Sequence, residues 1–401
     1  MNIAVAQSGG PTCAINSSLA GVIKQAFEEE KIDIVYGSKN GIEGIIGQNL
    51  VVCQDVFKTD EDFDILKQTP SSALGSCRFK LPDYKVDEMP YKKIMDCFEK
   101  YKIEAFFYIG GNDSMDTIVK LSEYFSAKGS DIRFVGVPKT IDNDLVETDH
   151  TPGFGSAAKY VLTTVNEIIR DTNVYDLKSV LIVEIMGRQA GWLTASTSLL
   201  RLNGETKPQL IYLPEADFKV EKFVSDIKNE FQKDNVVIVA VSEGIEVDEI
   251  EQDELSATDG FGHKNLGGIG KRLENIVKSS IGCKVRSVEL NVLQRCASHC
   301  ASLTDITEAE NAGKNAVIKM LEGHSGVMVS IKRVSDEPYE VTYDVVDAKM
   351  VANNEKPFNK EWITKEQNNV TDDAIKYFLP LIQGEVSTKT QNGIPKHFII
   401  K

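Results

Sequence analysis

EAFFYIGGNDSM, residues 104–115, is the stretch whose reading decides the fold. A short apolar run ends in Gly110 and Gly111, and Ile118, Val119 and Leu121 then open a helical spacing. That is a strand, a tight turn and a helix. Towards the N-terminus, residues 3–12 (IAVAQSGGPT) repeat the plan: IAVAQ reads as a strand, Gly9 and Gly10 stand in the turn, and Ile15, Leu19, Val22, Ile23, Ala26 and Phe27 recur at helical intervals. Towards the C-terminus come the apolar runs IRFVGVP (132–138), SVLIVEIMG (179–187), QLIYLP (209–214), VVIVAVSEG (236–244) and KVRSVELNVL (284–293). A long helical region is expected from about residue 294 to 322. Short strands separated by helical or loop segments predict an α/β protein of parallel strands joined by crossover helices.

The chain has 401 residues, 42% hydrophobic and 26% charged, enough to build two lobes around large cores. A net charge of −15 excludes a general nucleic-acid or anionic-membrane binder, since both need a basic surface to draw phosphates from a distance. Any phosphate bound here is held by local Lys and Arg. The N-terminal MNIAVAQSGG lacks the basic start of a signal peptide and reads as a first strand, and no apolar run reaches membrane-spanning length. Seven scattered cysteines then suit reduced thiols in a cytoplasmic compartment. Cys296, His299 and Cys300 could share a helix face, but further metal ligands are not spaced nearby, and buried thiols are the ordinary reading. Residues 246–266, rich in acids, Gly and Ser, read as a loop over or beside a cleft.

Ligands in open parallel sheets bind beyond the carboxyl ends of the strands, where helix N-termini offer free N–H groups. Gly9–Gly10 and Gly110–Gly111 both stand there, although glycine also serves such turns for conformational reasons alone. After IRFVGV follows PKTIDND (138–144), where Asp142 and Asp144 bracket Asn143 and Lys139 adds a cation. Paired carboxylates in a loop can hold magnesium and accept a proton, the requirements of phosphoryl transfer. The same spacing suits a solvated turn with capping aspartates. PGFGSAA lacks the strand and acidic partner of a dinucleotide fold, and GGIGKR lacks the Ser or Thr of a P-loop. The five histidines show no metalloprotease or deaminase spacing.

Taken in order, SGGPTCAIN, LGSCRF, GGNDSM, PKTIDND, EIMGRQAGW and the region from Arg286 to Arg295 resemble the phosphofructokinase family over residues 3 to about 330. The resemblance implies a two-lobed α/β enzyme, with a donor-phosphate and Mg2+ lobe in residues 1–138 and a mainly fructose 6-phosphate lobe in 139–401. Part of 294–330 is expected to pack back on the first lobe. It further implies that Asp142 is the base that deprotonates the sugar's 1-hydroxyl, with Thr140, Ile141 and Asp144 beside it. Asn112 takes the magnesium position with Asp144, although many members place Asp there. Gly10 and Arg78 match donor-phosphate contacts. Met186, Gly187, Arg188, Glu243, Arg286 and the run Val292, Leu293, Gln294 and Arg295 match the sugar-phosphate site.

Two positions bear on the donor. ATP-using members tend to carry glycine where this chain has Asp113 and Lys139, and pyrophosphate users tend to carry this pair. The physics agrees: a carboxylate at Asp113 repels an α-phosphate, and Lys139 neutralises a leaving phosphate that has no nucleoside attached. Asp113 also suits a helix N-cap. Ile42 falls where some ATP users stack an aromatic ring on adenine. Ser179 and Val292 depart from an arginine and a histidine of some members, which bears on sharing of sites between subunits. The expected reaction is transfer from pyrophosphate to fructose 6-phosphate by a homodimer or homotetramer. The alternatives are an ATP-dependent enzyme of the same kind and a non-catalytic regulatory subunit that binds sugar phosphate.

Overall fold

The protein is described here by a computed structural model covering residues 1–247 and 268–400. The strands of its two main sheets are, in chain order, β1 (Asn2–Gln7), β2 (Ile34–Ser38), β3 (Leu50–Val52), β4 (Ile103–Gly110), β5 (Arg133–Pro138), β6 (Ser179–Ile185), β7 (Leu210–Tyr212), β8 (Val236–Ser242), β9 (Lys284–Glu289), β10 (Val327–Asp336) and β11 (Tyr339–Asp347). Among the described residues the larger sheet runs β11-β10-β5-β4-β1-β2-β3 and the smaller β7-β8-β6-β9. The smaller sheet is parallel throughout; in the larger, only the outer pairs β10/β11 and β2/β3 are antiparallel.

Alternation along each strand explains why these runs are apolar on both sides. Ile3, Val5, Phe107, Ile109, Val135 and Val137 face helices Ile15–Glu28 and Leu303–Leu321. Their neighbours Ala4, Ala6, Phe106, Tyr108 and Phe134 face helices Met89–Tyr101 and Asn112–Ala127. The smaller sheet is sandwiched likewise, Val180, Ile182, Val237 and Val239 on one face and Leu181, Val183, Ile238 and Ala240 on the other.

The return of the chain to the first lobe is larger than residues 294–330: helix Leu303–Leu321 and both β10 and β11, to Asp347, belong with the larger sheet. It is sealed by glycine. Helices Ile15–Glu28 and Leu303–Leu321 cross so closely that a Cβ on Gly21 would meet the Glu310 carbonyl oxygen at 1.9 Å, and one on Gly313 the Ser18 carbonyl oxygen at 2.1 Å.

The continuous helical region expected over 294–322 is broken. A short helix, Leu293–Cys296, and a 3-10 turn, Ser298–Cys300, precede Leu303–Leu321, which starts afresh where Ser302 Oγ accepts from Asp305 N at 3.4 Å. Cys296 and Cys300 therefore sit on separate elements. Cys296 is exposed and Cys300 and Cys283 are half-buried, so the buried thiols are Cys13, Cys53, Cys77 and Cys97. All seven cysteines are free. The stretch read as a loop over 246–266 lies, from residue 248 on, outside the described residues.

Replacing Gly313 by alanine is expected to force the two helices apart and to remove about 1–3 kcal/mol of stability, read as a lower midpoint of chemical denaturation. An unchanged midpoint would mean that the crossing yields without strain.

Candidate active site

The carboxyl ends of five strands, three from the larger sheet and two from the smaller, open onto one cleft of about 550 Å³. After β1 come Gly9, Gly10, Pro11 and Thr12; after β4, Gly111, Asn112, Asp113 and Ser114; after β5, Lys139, Thr140, Ile141, Asp142 and Asp144. From the smaller sheet come Met186 and Arg188 beyond β6 and Glu243 beyond β8. Arg78, Lys80, Arg295, Asn353 and Glu355 complete the lining.

The side of the cleft that the sequence motifs assign to the donor is built around Lys139. Its side chain is only 3% exposed, and Nζ donates to the Gly10 carbonyl oxygen at 2.7 Å, joining the turns after β1 and β5. Burial pulls its pKa down to about 8, with Asp142 opposing that shift. Asp113 is the second residue of helix Asn112–Ala127, which is capped by Gly111. There it meets the positive end of the helix dipole rather than serving as N-cap. Ile42 is fully buried in the core under β1 and does not line the cleft.

The side that the motifs assign to the acceptor is built around Asp142. Burial and the neighbouring Asp144 carboxylate lift its pKa to about 7, against the pull of Arg188, whose Nε lies 3.9 Å away. Asp144 is raised for the same first reason, burial. Arg188 is held in a left-handed conformation, φ 52°, and its N–H and that of Gly187 donate to Glu243 Oε1 at 2.9 and 3.1 Å. Gly187 itself has φ 144°, a backbone region that glycine alone adopts without strain. Gly187 and Glu243 thereby fix the backbone of the arginine, and Glu243 also lines the cleft. Burial and the nearby Arg78 depress the pKa of Arg295, the mark of cations gathered where an anion is due.

Not every residue singled out from the sequence joins the cleft. Arg286 is exposed on β9, the edge strand of the smaller sheet, and is not among the lining residues. Val292 and Leu293 are about half exposed, at 47% and 55%. Gln294 is fully buried and donates to the Asn291 carbonyl at 3.0 Å. None of these lines the cleft of a single chain; of that run only Arg295 does. Asn112 borders the cleft, but its amide is engaged with Asn353 and Asn354. Sequence reading missed Lys80, Asn353 and Glu355. Lys80 follows Arg78 by two positions, a basic alternation that could have been noticed; VANNEK (351–356) carries no motif.

Behind the loop after β5 lies a buried network. Asn143, fully buried with φ 57°, donates through Nδ2 to Tyr377 Oη at 2.9 Å, and that hydroxyl donates to the Asp149 carbonyl at 2.7 Å. His150 is gripped by Asp149 at 2.8 Å and Glu308 at 2.6 Å. Burial opposes its charge, yet the two carboxylates prevail and raise its pKa to about 9. Arg333 Nη2 closes the set on Asp149 at 3.0 Å.

The sequence matches the family Phosphofructokinase over residues 2–320. The chain belongs to the phosphofructokinase family. Within this family it is 37% identical over 400 residues to the pyrophosphate–fructose 6-phosphate 1-phosphotransferase of Halomonas elongata, covering 98% of this chain and 95% of that protein. To the enzyme of the same name from Xanthomonas campestris it is 39% identical, covering 100% and 96%. The crystal structure of a pyrophosphate-dependent phosphofructokinase from Nitrosospira multiformis superposes with a TM-score of 0.88 at 34% identity, covering 99% of this chain and 95% of that one. The two-lobed phosphofructokinase fold expected from the motifs is the fold observed.

Tyr377→Phe removes the hydroxyl that bridges Asn143 and Asp149. Because Asp142 and Asp144 flank Asn143, the turnover of the variant is expected to fall by roughly ten- to a hundredfold, with its melting temperature little changed. Wild-type turnover would mean that Asn143 holds the loop unaided.

Proposed function

We propose that this phosphofructokinase transfers a phosphoryl group from pyrophosphate to the 1-hydroxyl of fructose 6-phosphate, giving fructose 1,6-bisphosphate and phosphate. The observation that carries this reading is Lys139, anchored on the Gly10 carbonyl across the donor turns and three residues before Asp142. Asp142 takes the proton of the 1-hydroxyl as the sugar oxygen bonds to phosphorus and the bridging P–O bond of pyrophosphate breaks. Lys139, with Gly10 and Arg78, receives the charge of the departing phosphate, and Asp113 repels any further phosphate that a nucleotide would bring. On the acceptor side Arg188 and Arg295, with Thr140, Ile141 and Met186, bind the sugar phosphate, the guanidinium groups offering bidentate contacts.

Magnesium fits this cleft. Asp142 and Asp144 are two half-buried carboxylates of raised pKa, an arrangement that a divalent cation relieves. Among the described residues no three or more His, Cys, Asp or Glu gather as a closed metal cage, which suits an ion held by one or two carboxylates plus substrate phosphates. Asp144 would hold it. When bound, magnesium neutralises charge on the transferring phosphoryl group.

With free phosphate as the leaving group the reaction lies near equilibrium and runs in either direction. A cytoplasmic location accords with the free thiols, and no described helix is long and apolar enough to cross a membrane. The family resemblance supports a homodimer or homotetramer.

The donor is tested by assaying the purified chain with fructose 6-phosphate, magnesium and either pyrophosphate or ATP. Turnover with pyrophosphate is expected; turnover with ATP alone would overturn the donor, and none with either would favour the regulatory reading. Asp142→Asn keeps the shape and removes the base, so kcat is expected to drop by roughly 10²–10⁴ with substrate affinity retained. The pH profile of kcat/KM follows from the same groups. Below about pH 7 Asp142 is protonated and cannot accept a proton, and above about pH 8 Lys139 loses its charge. A bell with limbs near those values is expected; Asp142→Asn should abolish the acidic limb in its residual activity, and an unchanged acidic limb would assign it to another group.

A further inference from the structure

Asn112 opens helix Asn112–Ala127 at the donor end, and its amide is used at both ends. Nδ2 donates to the Asn354 carbonyl oxygen at 2.5 Å, and Oδ1 accepts from the Asn353 N–H. One helical turn further on, Asp116 Oδ1 accepts from Asn353 Nδ2 at 3.3 Å. Asn353 itself takes a left-handed conformation, φ 60°. On its far side the same stretch is tied to the catalytic loop, where Lys356 N donates to the Asp144 carbonyl at 2.7 Å and Glu355 bridges Leu145. Residues 353–356 are thus strung between the start of that helix and the loop of Asp142, and Asn353 and Glu355 line the cleft.

We infer that Asn112 is a positioning residue, a two-point clamp that holds residues 353–355 as a wall of the donor end of the cleft. The chemistry requires an amide. A carboxylate at position 112 could accept from the Asn353 N–H but has no hydrogen for the Asn354 carbonyl, and two oxygens would then face each other. This accounts for asparagine at a position where the family resemblance leads one to expect a metal-binding aspartate. The clamp sets Glu355, a further carboxylate, on the rim that a donor longer than two phosphates would have to pass. That consequence rests on the pyrophosphate reading; the clamp does not.

Asn112→Asp separates clamp from ligand, because a carboxylate is the better partner for a hard cation and the worse partner for the Asn354 carbonyl. Hydrogen exchange of the full, ligand-free chain is compared for wild type, Asn112→Asp and Asn112→Ala, with Mn2+ titrated by electron paramagnetic resonance. Exchange in peptides spanning 350–357 is expected to rise by about tenfold in both variants, the scale of one or two lost hydrogen bonds, while peptides of β4 and β5 stay protected. Mn2+ affinity is expected to stay within about threefold of wild type in both. KM for pyrophosphate should rise with kcat largely retained. Wild-type exchange in either variant would overturn the clamp, as would Mn2+ affinity that strengthens in Asn112→Asp and weakens in Asn112→Ala. Exchange is read without donor or sugar, so failure of the clamp and failure of the donor reading are distinguishable.

Discussion

The cleft depends on one constraint above all: the loop after β5 is irregular backbone that must be held from behind. Asn143 and Glu147 both take left-handed conformations, at φ 57° and 62°, which non-glycine residues avoid unless their surroundings over-determine them. The surroundings here are the Asp149, His150, Glu308 and Arg333 network and the Tyr377 hydroxyl, contributed by helix Leu303–Leu321, strand β10 and helix Asp372–Phe378. Remove the charge on His150 and two carboxylates face each other in a buried space. The pKa of about 9 keeps that charge in place through the physiological range. Asp142 inherits its position from groups that do not line the cleft.

The cleft itself is electrostatically unsettled without ligands. Asp142, Asp144 and Glu243 all have raised pKa values, and Lys139 and Arg295 have lowered ones; burial is the leading cause for each. Both signs of charge are therefore less comfortable than in water. A ligand that brings the missing counter-charges relieves an arrangement that folding has already imposed, and part of its binding energy comes from that relief.

Much of this was legible in the sequence. Strands that end in glycine pairs announced the parallel sheets, and GGNDSM with PKTIDND marked two of the turns that line the cleft, because each motif is local to one strand end. What escaped reading is what the chain brings together over long distances. Asn353 and Glu355 enter the cleft more than 200 positions after Asp144 only because β10 and β11 rejoin the first sheet. The alternation in YEVTYDVVD was a readable sign of that edge strand. Arg286 shows the opposite limit: its residue type suits a phosphate, but its place on an edge strand turns it to the outside of the single chain.

The glycine crossing of helices Ile15–Glu28 and Leu303–Leu321 has a consequence for synthesis. The N-terminal helix leaves the ribosome early, but the partner that covers its small-residue face, through Gly21 and Gly313, is nearly 300 residues behind. From its own synthesis onward β5 likewise lacks its neighbour β10 on one edge. The first lobe to be made is the last to be finished, and until residue 347 has emerged it presents an open strand edge and an uncovered helix. The smaller lobe, with strands confined to residues 179–289, has by then all of its sheet in hand and can serve as the platform on which the older half closes.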